Sequence, residues 1–129
     1  MSAIKASIGT ALYNIEIKST TGNIIIADEP VDKGGRDKGF SPKELLISAL
    51  GACTCATLRM YADRKGWELE KAEAEIELSE ENGQTKFIRK LLLSGKLDDE
   101  QRTRLLAVAN ACPIHKILTH SIVIETVLT

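Results

Sequence analysis

The run SPKELLISALGACTCATLRMYADRKG, residues 41–66, decides the fold. It opens like a helix: Ser41 is a natural N-cap, Pro42 suits the first helical position, and Glu44 stands three after the cap, as in a capping box. It closes like one, with Arg64 and Lys65 in the last turn and Gly66 as the stop. Residues 45–58 are apolar or small at every position. A surface helix carries one apolar stripe; a helix apolar all round is expected to be buried. Cys53 and Cys55 lie in its middle, so the helix is expected to be both the packing centre and the seat of the chemistry.

The rest of the chain supplies partners for that helix. Residues 11–18 (ALYNIEIK) alternate, with Tyr13, Ile15 and Ile17 on one face, and read as a half-buried strand. Thr21-Gly22-Asn23 is a turn and residues 23–27 a second strand, so the N-terminal part predicts a hairpin. Residues 28–40 (DEPVDKGGRDKGF) read as a loop leading into the helix. Beyond Gly66, residues 70–79 (EKAEAEIELS) have a period of two and predict a strand with one wet face. Asn82-Gly83 signals a hairpin turn, and residues 85–94 (TKFIRKLLLS) form the partner strand.

Asp98 then caps a second helix, with Gln101 closing a capping box. That helix should end near Asn110. Pro113 is placed to open a short helix, PIHKIL, and residues 121–128 (SIVIETVL) predict a final strand. The order is β-β-α-β-β-α-(short α)-β, an α+β chain of one domain over residues 1–129.

Composition narrows the function classes. Apolar residues make up 43% and charged residues 27%, with a net charge of −1. Both signs are spread along the chain, so no basic stripe points to nucleic acid or an anionic membrane. The N-terminal residues lack the apolar core of an export signal. The apolar run 45–58 is shorter than the roughly 20 residues a bilayer crossing needs. A cytoplasmic location is therefore expected, and with it three cysteines that are reduced, catalytic or metal-bound rather than structural disulfides.

Cys53 and Cys55 are two apart, which turns them roughly 200° from each other on a helix. They cannot readily pair with each other or hold one metal together. At most one of them shares a site with Cys112. Cys112 precedes Pro113 at the start of the short helix, where free N–H groups favour a thiolate. His115, three residues on, could add a hydrogen bond or a charge. The residues alone leave three readings open: small core hydrophobes, a redox pair, or a metal site. Cys112 and His115 make only a pair, so the metal reading is the weakest. His115 and His120 also suit a polar surface or a helix end, Glu44 a capping box, and Arg36 a solvated loop.

Two stretches resemble the OsmC/Ohr family, the osmotically inducible protein C and organic hydroperoxide resistance proteins. They are SPKELLISALGACTCATLRMYA, residues 41–62, and NACPIHKIL, residues 110–118. The resemblance implies an α+β fold, an intertwined homodimer with the central helices in the middle, and an active site near the subunit interface. It places the peroxide-attacking cysteine at Cys53 and the resolving cysteine at Cys112, and leaves Cys55 to packing. It implies an organic hydroperoxide as substrate, an external dithiol as reductant, and no cofactor, metal, nucleic acid or membrane. The family's activating glutamate and arginine have no direct match. Lys43 stands at the glutamate position, with Glu44 next to it, and residues 1–35 hold no arginine, so Arg36 is the nearest. Glu44 and Arg36 are the candidates that follow. The rival expectation is a dithiol that senses oxidation or exchanges disulfides, or a pocket for an apolar ligand.

Overall fold

The computed structural model describes residues 2–129. The chain divides into two compact units, residues 1–46 and 47–129. In the first, β1 (Ile4–Ile8), β2 (Ile15–Ser19) and β3 (Ile24–Ala27) form an antiparallel meander. Ile8 faces Ile15 across the first pair, and Ile17 faces Ile25 across the second. The expected hairpin is the β2–β3 pair. The third strand, β1, was not expected, although Ile4, Ala6 and Ile8 alternate with Lys5 and Ser7.

The glycine-rich loop after β3 is organised by one carboxylate. Asp28 is buried. Its oxygens accept the backbone N–H groups of Glu29 at 2.7 Å, Arg36 at 3.3 Å and Lys38 at 3.1 Å. The loop then returns to β3, where Phe40 bridges to Ala27.

The long helix α1 spans Pro42–Lys65. Its start is the capping box read from the sequence. The Glu44 N–H donates to Ser41 Oγ at 3.2 Å, and the Ser41 N–H donates to Glu44 Oε1 at 2.9 Å. Its end is Gly66 in the left-handed region, φ 69°, with the Trp67 N–H donating back to the Ala62 carbonyl at 2.9 Å. Only glycine adopts that conformation without strain.

Within the second unit, β4 (Glu68–Glu81) and β5 (Gln84–Lys96) form a long antiparallel hairpin. Asn82 and Gly83 turn it, both with positive φ, as a tight primed turn requires. Glu73, Glu75 and Glu77 are exposed, while Ala72, Ala74, Ile76 and Leu78 alternate with them as the drier face. The second helix, α2 (Asp99–Ala109), is capped by Asp98 and Gln101 as expected. A short helix, α3 (Pro113–Leu118), follows with Cys112 as its N-cap. The core joins Leu58 and Ala62 of α1, Leu69 of β4, and Leu105, Val108 and Ala109 of α2. Tyr61 and Trp67 flank it edge to face, 5.6 Å apart.

Two expectations need correction. The central helix is not buried all round. Its buried residues are Leu50, Thr54, Leu58 and Ala62, a single line spaced by four, and only 22% of its most apolar 18-residue window is covered. One hairpin and one helix can cover only one side of it. Its full 24 residues are also long and apolar enough to cross a membrane by length and composition, so the run 45–58 alone understated its reach. The second correction concerns residues 121–128, which form no strand in this chain. Val123 is 82% exposed and Leu128 fully exposed. A strand needs an edge to pair with, and these residues pair with none here.

Candidate active site

The second unit brings Cys53 and Cys112 together. Cys53 projects from the middle of α1, and Cys112 lies at the junction of α2 and α3. The two thiols lie close enough to influence each other, and the Ile114 N–H at the start of α3 lies near both sulfurs. Cys112 is fully buried and Cys53 half-buried, and both are free thiols. Pro113 explains the sharp entry: it fixes the first residue of α3, so the Cys112 side chain caps the helix. The His115 N–H donates to Cys112 Sγ at 3.3 Å.

The two sulfurs are not equivalent. Burial pushes the Cys53 thiol up, and the neighbouring Cys112 adds to that. Burial opposes charge at Cys112 as well. There it is outweighed by hydrogen bonds from the Cys53 thiol, the His115 and Ile114 N–H groups and the Thr54 hydroxyl, so the Cys112 thiol lies below its ordinary range. Cys112 is the better home for a negative charge.

Cys55 points the other way, and its thiol donates to the Ala72 carbonyl of β4 at 3.6 Å. The helical spacing set it apart from Cys53, and the packing role is the one the resemblance implied.

One residue that the sequence reading missed completes the site. Arg89 lies on β5 in register with Phe87, Leu91 and Leu93, on the face that packs inward. Its Nη1 donates to Thr54 Oγ1 at 3.0 Å. Its Nη2 donates to Asn110 Oδ1 at 2.9 Å and meets His115 Nδ1 at 3.2 Å. Thr54 is fully buried and its hydroxyl also donates to the Leu50 carbonyl at 2.7 Å. Burial and the nearby Arg89 charge both hold the His115 imidazole below its ordinary range, which favours the neutral ring. The signal for Arg89 was present: in FIRKLLL, an arginine occupies a position where the period of two calls for an apolar residue.

Glu44 and Arg36 belong to residues 1–46. The Glu44 carboxylate is engaged in the cap of α1. The Arg36 N–H is held by Asp28, and its side chain lines a cavity of about 130 Å³ with Leu12, Asn14, Ile26 and Lys38. An open cavity of about 300 Å³ is lined by Thr57, Met60, Arg64, Arg104, Val108 and Ala111; neither Cys53 nor Cys112 lines it, although Ala111 precedes Cys112 in the chain. The Thr57 side chain lies near Cys53 and slightly offsets the rise of its thiol. Among the described residues, no group of three or more His, Cys, Asp or Glu is placed to hold a metal ion.

The chain was compared with known proteins. No curated protein matches it. Among solved structures, an OsmC-like protein from Mycoplasma pneumoniae superposes with a TM-score of 0.78 at 20% identity, covering 92% of this chain and 86% of that one. The organic hydroperoxide resistance protein OhrB of Bacillus subtilis superposes with a TM-score of 0.63 at 24% identity, covering 92% and 90%. An organic hydroperoxide resistance protein OsmC from Legionella pneumophila gives 0.68 at 22% identity, covering 92% and 89%. At these identities the likeness shows the fold. A family model described as OsmC-like protein matches residues 35–127, a span that includes both cysteine motifs, and the chain belongs to the OsmC-like family.

Proposed function

We propose that the protein is a thiol-dependent peroxidase that reduces organic hydroperoxides in defence against oxidative stress. The observation that carries this reading is the meeting of Cys53 and Cys112. The Cys53 thiolate attacks the distal oxygen of the hydroperoxide. The O–O bond breaks, the alkoxide leaves and takes up a proton as the alcohol, and Cys53 becomes a sulfenic acid. The Cys112 thiolate then attacks the Cys53 sulfur. The S–S bond forms, the S–OH bond breaks, and hydroxide leaves as water once protonated. An external dithiol returns both cysteines to thiols by exchange. Among structures with this fold are organic hydroperoxide resistance proteins, which supports the same reading. Arg36 and Glu44 remain proposed helpers to Cys53.

The reading includes a homodimer working in the cytoplasm, with each chain acting as one domain. A second copy would cover the apolar faces that α1 leaves open and offer an edge to residues 121–128. The cavity lined by Met60, Val108 and Ala111, with Arg64 and Arg104 in its wall, offers apolar surface to the alkyl group of an organic hydroperoxide, which hydrogen peroxide lacks. One observation favours the rival reading, a dithiol for redox sensing or disulfide exchange: the attacking thiol, Cys53, is held above its ordinary range.

Turnover of cumene hydroperoxide with dithiothreitol separates the two. Cys53→Ser should abolish it, and Cys112→Ser should leave one oxidation without efficient recycling. Equal turnover by both variants and wild type would exclude the assignment.

A further inference from the structure

Among the described residues, Arg89 is the one charged side chain on the inward face of the β4–β5 hairpin. A guanidinium in that position loses hydration and must be repaid in hydrogen bonds. It finds three partners on three other elements, and all three are neutral: Thr54 of α1, Asn110 at the end of α2, and His115 of α3. Asn110 lies two residues before Cys112 and His115 three after it, and a single nitrogen, Nη2, bridges them.

The direction of these bonds matters. Arginine only donates. At Thr54 it therefore fills an oxygen lone pair, and the hydroxyl hydrogen stays free to point at the Leu50 carbonyl or at the Cys112 sulfur. At His115 it fills Nδ1, so the ring proton sits on Nε2 and the imidazole stays neutral. The His115 backbone N–H remains the cap of Cys112.

We propose that Arg89 is a positioning residue for the resolving sulfur: through Thr54, Asn110 and His115 it holds donors around Cys112 and keeps it ready to attack as a thiolate. Arg89 thus serves the second chemical step, S–S bond formation with loss of hydroxide from the Cys53 sulfenic acid, and not the attack on peroxide. The titratable group that meets the Cys112 sulfur is Cys53 on α1. His115 reaches it through its backbone N–H, and the Arg89 charge stands one contact away, on Thr54 and the His115 ring, with Arg64 and Arg104 lining the cavity that Thr57 and Ala111 share. The inference rests on the peroxidase reading for its chemistry, and its test does not.

The test is a thiolate titration by absorbance at 240 nm in a Cys55→Ala background, comparing Arg89 with Arg89→Gln and Arg89→Lys. The lower of the two thiolate transitions should rise in Arg89→Gln and return part of the way in Arg89→Lys, which keeps the charge but not the fork. A rise of one unit lowers the thiolate fraction by up to about tenfold, the full factor applying where the pH lies below both values. After one equivalent of cumene hydroperoxide, Arg89→Gln should then form the disulfide more slowly, by up to about tenfold below the transition, with Cys53 sulfenic acid trapped by dimedone. Raising the pH should restore the rate. A lower transition unmoved by Arg89→Gln overturns the inference. If Arg89→Gln does not fold, Arg89→Lys decides alone, since an ammonium cannot hold all three partners. Protein inert to peroxide in which the transition still moves supports the hold of Arg89 on Cys112 and sinks only the peroxidase reading.

Discussion

Thr54→Val is the most informative change in the helix. The side chains are nearly the same shape, so the variant removes a hydroxyl and little else. Thr54 is fully buried. The change removes the bond accepted from Arg89 at 3.0 Å and the one hydroxyl hydrogen, which is donated to the Leu50 carbonyl at 2.7 Å and also lies near Cys112. A neutral bond contributes about 0.5–1.5 kcal/mol and one to a charged group about 1.5–3 kcal/mol. Arg89 keeps Asn110 and His115 and is half-exposed, so water replaces part of its loss. The Leu50 carbonyl keeps its helical N–H partner, and the added methyl gains roughly 0.8 kcal/mol by burial. The net cost is about 1–2 kcal/mol. It should be read as a lower urea midpoint with unchanged slope, at fixed protein concentration because association shifts apparent stability. A double-mutant cycle with Arg89→Gln should show coupling of about 1 kcal/mol, since both variants remove the same bond. Full additivity, with Thr54→Val as stable as wild type, would refute the network.

Other outcomes follow from the packing and the charges. Leu58→Ala empties the centre of the core, where Leu58 is fully buried, and should cost about 2–5 kcal/mol in the same urea assay. Asp28 should show in acid. Burial alone would raise its carboxyl, but the N–H groups of Lys38, Glu29, Arg36 and Tyr13 bring it below the ordinary value. Its contribution is therefore present above the unfolded pKa of about 3.9 and is lost as pH falls through the lower folded value. Asp28→Asn should flatten that acid limb. His115 has the opposite chemistry and the same sign. Its folded pKa is depressed, so stability should begin to fall below the unfolded value of about 6.5, and His115→Gln should remove that slope.

Local rules carried much of the fold. The capping boxes at Ser41 and Asp98, the stop at Gly66, the Asn82-Gly83 turn and the period of two in EKAEAEIELS each depend on residues a few positions apart. Those interactions survive whatever else the chain does. Residues 121–128 fail for the complementary reason: their Val and Ile content favours a strand, but a ladder needs an edge, and edges are a tertiary property. The face of α1 was misjudged in the same way, because composition says what could be buried and not how much of the chain is there to bury it. In the site, helical spacing correctly separated Cys53 from Cys55. The meeting with Cys112 was suggested by family resemblance and not by spacing, because it joins residues 59 apart in sequence. Arg89 was legible as a break in the alternation of β5, and its partners were not, since they come from three separate elements.

Everything proposed for the site depends on Cys53 and Cys112 acting as one redox pair. That pairing is tested most directly by adding one equivalent of cumene hydroperoxide to the reduced protein, then counting free thiols and mapping the disulfide by mass spectrometry. Two thiols should be lost rapidly, a Cys53–Cys112 disulfide should form, and Cys55→Ala should behave as wild type. Retention of all three thiols, or a disulfide that includes Cys55, would contradict it.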